Sequence, residues 1–305
     1  MDWSKQMIDV DAAIVLIQRN FPQIAIRTAV PITKGWDSFV LEVNGELIFR
    51  FPMRDDVIPY LQNELCLLPL LEQALSTPIP HFDFRGQGDS SYPYMFVGYR
   101  KLVGVALEDK RITQEQLAAL APTLATFLSE LHSFPVARAV LVGVQEHTPE
   151  QWRERYLERY MDLQKRVFPL LDADLGTKSE RLWEDFLDDR ASFAFQPALI
   201  HCDLACEHIL CDPERGTLTG VIDWGDVTIG DLAMDFVGLH DGRGREFTGL
   251  VLAGYRGIVD AAFWRRMDFY LCYGPFSELL YGAYSGNERF IAKGREGLRT
   301  LFREE

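Results

Sequence analysis

Long hydrophobic runs are missing from this chain of 305 residues. Nothing approaches the roughly 20 consecutive apolar residues that span a bilayer, so no helical membrane anchor is expected. The N-terminus, MDWSKQMIDVDAAIVLIQRN, has neither a basic leader nor a small-residue cleavage site, which argues against a secretory signal. Its Met7, Val10, Ile14 and Ile17 fall at helical spacing instead. Cysteine is scarce, at five, an odd number that does not make a disulfide scaffold in a chain of this length. Basic charge is in deficit as well. Lys and Arg number 31 against 45 Asp and Glu, a net charge of −14, and no basic patch of the kind a duplex binder carries is visible. Repeats and low-complexity segments are absent. These absences point to a cytoplasmic protein with no membrane or nucleic-acid partner. The acidic balance serves solubility and can also steer cationic ligands toward the surface. What remains is a globular composition, 48% hydrophobic and 25% charged, long enough for one large or two ordinary domains.

The first hundred residues read as β-rich. IAIRTAV (24–30) is apolar and alternating, and SFVLEV (38–43) and ELIFRF (46–51) flank Asn44-Gly45, a strong hairpin signal. A helical run follows over 57–75, with Glu64, Leu67, Leu68 and Leu71 at helical spacing and Pro69 expected to kink or end it. IPHFDF and PYMFVGYR are further strand candidates. After about Lys101 the texture changes. QEQLAALAPTLATFLSELHSF is an amphipathic helix, residues 148–191 read as two more, PALIH and TLTGVIDW as short strands, and nearly everything from Gly230 onward as helix. The expected division is therefore a small β-rich N-terminal lobe, 1–98, and a larger helical lobe, 99–305.

The densest chemistry lies in LIHCDLACEHIL, which starts at Leu199 and gathers two His, two Cys, an Asp and a Glu. Zinc sites commonly set one Cys pair against a second distant pair. Here Cys66 and Cys272 stand alone, so a zinc site is the weaker reading and Cys202, Cys206 and Cys211 are expected to pack as small apolar groups. The stronger reading centres on Asp203. It follows one apolar strand, and a second acid, Asp223, ends a later one in GVIDWGD. Two short strands would deliver two carboxylates to one sheet edge, as base and metal ligand. Mg²⁺ needs few protein ligands and leaves room for phosphate oxygens. Phosphoryl transfer asks for little beyond positioning, charge neutralisation and a proton acceptor.

The order of parts resembles a protein kinase. Arg50 stands on the third strand where kinases carry a Lys, Glu64 on the next helix where that Lys finds its partner, and Asp203 at the catalytic-loop Asp. His208, five residues later, takes the place of the metal-holding Asn, and Asp223 that of the metal-binding Asp. More closely, HCDLACEHIL and GVIDWGDVTIGDLAMDF resemble the aminoglycoside phosphotransferases. GWDSFVLEVNGELIFRFP, YMFVGYRKLVG and FSELLYGAYSGNERFIAKGREGLR look nearest the 2″-phosphotransferase branch. The resemblance covers nearly the whole chain and implies a two-lobed, kinase-like α+β fold. It implies phosphorylation of an aminoglycoside hydroxyl, with ATP or GTP as donor and Mg²⁺ as cofactor, conferring antibiotic resistance. It departs at Arg50, whose forked guanidinium still suits phosphate, and at His208, a less natural Mg²⁺ ligand than an oxygen, though His stands there in this branch. Ser38 is expected near the phosphates. PYMFVGY would be the hinge, with Met95, Phe96 and Gly98 beside the nucleotide base. Asp203, Asp231, Glu278 and Tyr281 are the expected acceptor contacts, although Asp231 also reads as a helix-start residue. The acceptor would be a cationic small molecule and the protein a monomer. The alternative is a kinase of a macrolide or another small alcohol.

Overall fold

The chain enters the fold through α1 (Val10–Asn20), capped by Asp9, whose carboxylate accepts the Ala12 N–H. The computed structural model describes residues 8–32 and 37–303. Met7, expected at helical spacing, and residues 34–36 of the KGWDS run lie outside them. Five antiparallel strands follow in the order β1-β2-β3-β5-β4. They are β1 (Ala29–Ile32), β2 (Ser38–Val43), β3 (Leu47–Pro52), β4 (Phe84–Gly86) and β5 (Phe96–Arg100), with α2 (Ile58–Leu71) between β3 and β4.

The β2–β3 hairpin turns on Asn44 and Gly45, both left-handed at φ 57° and 72°, the conformation this residue pair favours. Asn44 also explains why the run 24–30 becomes strand only at Ala29. Its side-chain oxygen accepts the N–H groups of Arg27 (2.7 Å) and Thr28 (3.2 Å) and its amide donates to the Ala25 carbonyl (2.9 Å). One side chain thus replaces a strand partner. Strand IPHFDF likewise shortens to Phe84–Gly86. Helix α2 runs on through Pro69 and ends at Leu71, within the turn where the missing proline N–H takes effect.

Pleating sorts the sheet into two faces. Leu47, Phe49, Phe51 and Phe96 pack with Leu16 and Ile17 of α1 in one core. Ile48, Val97 and Tyr99 face the other way, into a second core that continues through α2 into the rest of the chain. Arg50 shares that second face by alternation, and it is the face that looks onto the cleft.

Past β5 the chain is mostly helical. It contains β6 (Val105–Ala106), α3 (Gln114–His132), α4 (Val136–Leu141), α5 (Pro149–Arg166), α6 (Ala173–Asp188), β7 (Ala198–Ile200), β8 (Ile209–Asp212), β9 (Thr217–Val221) and β10 (Thr228–Gly230). Helices α7 (Met234–Gly254), α8 (Phe263–Leu271), α9 (Tyr273–Ser285) and α10 (Glu288–Leu301) complete it. The strands make two small sheets, β6-β8-β9 and β10-β7. Capping boxes at Thr113/Gln116 and Thr148/Gln151 start α3 and α5, each worth about 1 kcal/mol by the usual cost of losing such a cap. The architecture is α+β and two-lobed. Among the described residues no helix is long and apolar enough to cross a membrane.

Behind the small sheets, Trp183, Phe186, Phe269 and Tyr270 pack as rings around Tyr156. A buried ion pair crosses this region. Arg266 donates from Nε to Asp231 at 2.6 Å, both side chains have no exposure, and the Tyr270 hydroxyl donates to the same carboxylate at 2.7 Å. The Arg266 fork then closes on Asp260 at 2.8 and 2.7 Å. Asp231 therefore cannot meet a substrate ammonium, contrary to the expectation above. Its carboxylate is sealed under an arginine and joins α8 to the start of α7. Asp231→Ala leaves Arg266 Nε and the Tyr270 hydroxyl buried without an acceptor, while Asp260 keeps the rest of the fork, and is expected to cost about 1–3 kcal/mol. Denaturant unfolding monitored by tryptophan fluorescence measures this; a loss below about 1 kcal/mol, the range of exposed pairs, would mean the pair does not hold the helices together.

Candidate active site

Two short strands and the loop before them bring the reactive side chains together. Asp203 stands three residues past the end of β7, His208 immediately before β8 and Asp223 two residues past β9. Antiparallel β8–β9 pairing and the Ile222 N–H donated to the His208 carbonyl (3.0 Å) hold the last two side by side. Asp203, His208 and Asp223 can each present a ligand atom such that all three lie within 4.8 Å of one another. His208 Nδ1 contacts the Asp203 carbonyl at 2.8 Å. A carbonyl only accepts, so Nδ1 donates, and Nε2 faces Asp223 Oδ2 at 3.7 Å. This donor set, two carboxylates and an imidazole nitrogen, suits a divalent cation. It is the one group of three acid, His or Cys ligands within such reach among the described residues. No zinc cluster forms from the cysteines. Burial pushes the Cys202 thiol up to about 12 and those of Cys206 and Cys211 to about 11, so all three stay protonated.

The loop is held under strain. Cys202 and Asp223 both adopt left-handed backbones, φ 68° and 65°, a conformation that costs a non-glycine residue of order 1–3 kcal/mol. Buried Asp235 offsets that cost, because its carboxylate accepts the backbone N–H of His201 (2.9 Å) and of Cys202 (2.8 Å). Its oxygen also takes the Nε2 proton of His132 at 3.1 Å, and the Tyr255 hydroxyl donates to His132 Nδ1 at 2.7 Å. His201 is buried and burial lowers its pKa, so it is neutral; it donates from Nε2 to the Ile222 carbonyl at 3.0 Å and lies over Trp224. The sequence reading passed over Asp235 and His132. They lie 103 residues apart, and the one local hint was an acid inside the apolar run LAMDF.

Across the cleft, Arg50 of β3 meets Glu64 of α2 through two parallel bonds, 2.7 and 3.1 Å. Burial opposes the charge on Arg50, but Glu64 and Asp223 hold it firmly cationic. Two adjoining cavities share Arg50, His208 and Asp223. One, of about 570 Å³, is also lined by Ser38, Glu64, Asp203, Glu207 and Asp226. The other, of about 360 Å³, is an apolar slot with Val40, Ile48 and Tyr99 on one wall and Leu102, Leu210 and Ile222 on the other. A flat aromatic ring fits such a slot, and charged groups fit the first cavity.

Of the sequence-derived site residues, Ser38, Arg50, Glu64, Asp203, His208 and Asp223 thus share one cavity. The hinge residues do not. Phe96 points into the α1-side core and stacks on Phe51 at 4.6 Å. At Gly98 a side chain would meet the Phe49 ring at 2.5 Å, on the same far face. Met95 packs against the main core and is not part of the slot's lining. The pleat alternates, so Tyr99 is the strand residue that reaches the slot, and the backbone beside it is Lys101–Leu102. Glu278 is ion-paired to Lys293 of α10, and Tyr281 packs on Phe290 of the same helix at 4.6 Å. Neither lines the Asp203 cavity.

Comparison with known proteins agrees with this geometry. The phosphotransferase enzyme family (APH) matches residues 28–270, and the chain belongs to that family. It is similar to a viomycin phosphotransferase of Streptomyces vinaceus, 28% identical over 82% of each chain. The solved GDP and kanamycin complex of the aminoglycoside phosphotransferase APH(2″)-IIIa is 32% identical. It superposes with a TM-score of 0.88 over 96% of this chain and 99% of that one. A macrolide 2′-phosphotransferase of Brachybacterium faecium, 20% identical with a TM-score of 0.74 over 94% and 98% of the two chains, shares the fold.

Asp203 is half-exposed, yet partial burial, with Asp226, Asp223 and Glu207 nearby, raises its carboxyl to about 6 against the pull of His208. An unfolded Asp titrates near 3.9. Between those values the folded chain binds the extra proton, so in metal-free protein stability falls as pH rises from about 4 to about 6 and is level above. Asp203→Asn lacks this term. Its unfolding midpoint in chelator is expected to rise above wild type as pH increases through that window and to match it below pH 4. A pH-independent difference would place the carboxylate outside this coupling.

Proposed function

We propose that this protein transfers the terminal phosphoryl group of a nucleoside triphosphate, ATP or GTP, to a hydroxyl of an aminoglycoside. The observation that carries the reading is the Asp203–His208–Asp223 cluster facing the Arg50–Glu64 pair across a cavity that opens into an apolar slot. In this reading the purine lies between Ile48 and Tyr99 on one side and Leu210 and Ile222 on the other. Arg50, fixed by Glu64, grips the phosphates, and Ser38 lies beside them. His208 Nε2 and Asp223 hold Mg²⁺, which when bound neutralises charge on the phosphate oxygens. Asp203 orients the acceptor hydroxyl and takes its proton, a task suited by a carboxylate whose pKa is raised toward neutrality. The lobes hand over at residues 100–102, and the protein acts in the cytoplasm as a monomer.

The acceptor class rests on charge. Glu207 and Asp226 flank Asp203 in the same cavity, and among the described residues neither is paired with a guanidinium or lysine ammonium there. Substrate ammonium groups would meet these acids rather than Asp231 or Glu278, which already hold Arg266 and Lys293. The relatives named for viomycin and kanamycin act on or bind cationic antibiotics. The macrolide relative supports the fold alone, and a macrolide or neutral alcohol would leave the acids around Asp203 without partners.

Steady-state phosphorylation of kanamycin, gentamicin, viomycin and a macrolide, each with ATP and GTP, tests the reading. Turnover is expected for a cationic acceptor, with a Michaelis constant that rises with salt; turnover of the macrolide alone would overturn the acceptor class. Asp203→Asn is expected to lower transfer by about 10²–10⁴-fold. Asp223→Ala is expected to weaken nucleotide binding in Mg²⁺ more than in chelator, as isothermal titration would measure. Equal losses in the two conditions would make Asp223 a structural acid.

A further inference from the structure

The 570 Å³ cavity holds a second guanidinium that the reading above leaves without a task. Arg54 lies just past the end of β3, on the strand that carries Arg50. The Met53 N–H bonds to the Asp37 carbonyl at 2.9 Å, extending the β2–β3 ladder by one step. Arg54 then reaches from Nη2 to Asp37 Oδ1 at 2.6 Å and from Nε to Asp56 Oδ1 at 3.0 Å. Asp37 enters β2 immediately before Ser38, so this fork stands over the mouth of the cavity.

Charge gives it a purpose. Among the described residues, seven carboxylates line this cavity against two guanidiniums. Arg50 is held by Glu64 at the inner end. Asp37 on the sheet side and Asp226 on the helical side repel one another across the gap. Arg54 is the cation paired with the first of them. Its two carboxylate partners are mostly exposed, 55% for Asp37 and 70% for Asp56. Exposed pairs of this kind are weak and exchange readily. A phosphate can offer two oxygens of one group to this fork, with more charge than either carboxylate.

Resting on the phosphoryl-transfer reading, we propose that Arg54 contacts the terminal phosphate of the donor and stabilises the charge spread over it during transfer. In that step the acceptor oxygen bonds to the γ-phosphorus as the bond from phosphorus to the β–γ bridging oxygen breaks. The bridging electron pair leaves with the diphosphate, and the acceptor proton passes to Asp203. Arg54 moves no proton. It holds equatorial oxygens of the phosphoryl group and, by leaving Asp37 or Asp56, carries the sheet side of the cavity toward the phosphate.

The contact is made only to a third phosphate, and the test uses that. Binding of the nucleoside di- and triphosphate, each with Mg²⁺, is measured by isothermal titration, alongside single-turnover transfer. Arg54→Ala is expected to weaken the triphosphate at least about tenfold and to slow transfer about 10²-fold, the scale of losing one oxyanion donor. The diphosphate is expected to change less than about threefold, since it lacks the group that a charge-assisted bond would reach. Arg54→Lys, which keeps charge without the fork, restores part of the loss. Asp37→Asn cuts the tether but leaves the guanidinium, and is expected to keep the wild-type preference for triphosphate over diphosphate. Equal losses for both nucleotides in Arg54→Ala, or collapse of that preference in Asp37→Asn, would overturn the proposal and leave Arg54 as a tie for the β2 entry. A wild-type chain that binds no nucleoside triphosphate would instead overturn the donor reading, and this assignment with it.

Discussion

Two carboxylates and an imidazole whose ligand atoms lie within 4.8 Å of one another are an electrostatic debt built into the backbone. Like charges about 4 Å apart repel by about 4 kcal/mol at the effective dielectric of a protein surface. Folding tolerates this because the acids are not free to separate. Asp223 is pinned by the β8–β9 hairpin and Asp203 by a loop whose backbone is clamped from behind by Asp235. Burial first, and the neighbouring acids second, raise the Asp203 carboxyl. In the proposed function a divalent cation would relieve the repulsion, and a nucleotide brought with that cation would return negative charge for Arg50 and Arg54 to meet.

The rest of the molecule serves this cluster at two distances. Close in, His132 and Tyr255 hold Asp235, and His201 ties the loop to Ile222 and Trp224. Further out, the Asp231–Arg266–Asp260 network ties α8 to the start of α7, which carries Asp235, and the rings around Trp183 pack α6 against α8. On the other side of the cleft the sheet contributes by its pleat. One face is filled with phenylalanine against α1, which leaves the opposite face to present Ile48, Arg50 and Tyr99 to the cavity.

Much of this was legible in the amino-acid sequence because the signals were local. Asn-Gly marked the hairpin, short apolar runs ending in Asp203 and Asp223 marked the edge where the cluster gathers, and the helical run carrying Glu64 marked the ion-pair partner of Arg50. Legibility failed where the deciding contact was distant or depended on strand phase. Asp231 looked available until Arg266, 35 residues on, covered it. Glu278 looked like a free acid until α10 folded back with Lys293. The hinge was placed at Met95, Phe96 and Gly98, although alternation along β5 turns Phe96 and Gly98 away from the cleft and Tyr99 into it; nothing in PYMFVGYR states which parity faces inward. Asp235 and His132 were missed because a buried acid–histidine pair leaves no spacing signature.

In the proposed function the cluster directs a phosphoryl group onto an alcohol rather than onto water. Phosphorus NMR of the protein with Mg²⁺, a nucleoside triphosphate and kanamycin observes that directly. A new phosphomonoester resonance, coupled to the proton on the modified carbon and growing in step with the nucleoside diphosphate, is the result expected. Appearance of inorganic phosphate alone, at the same rate with and without the aminoglycoside, would contradict it.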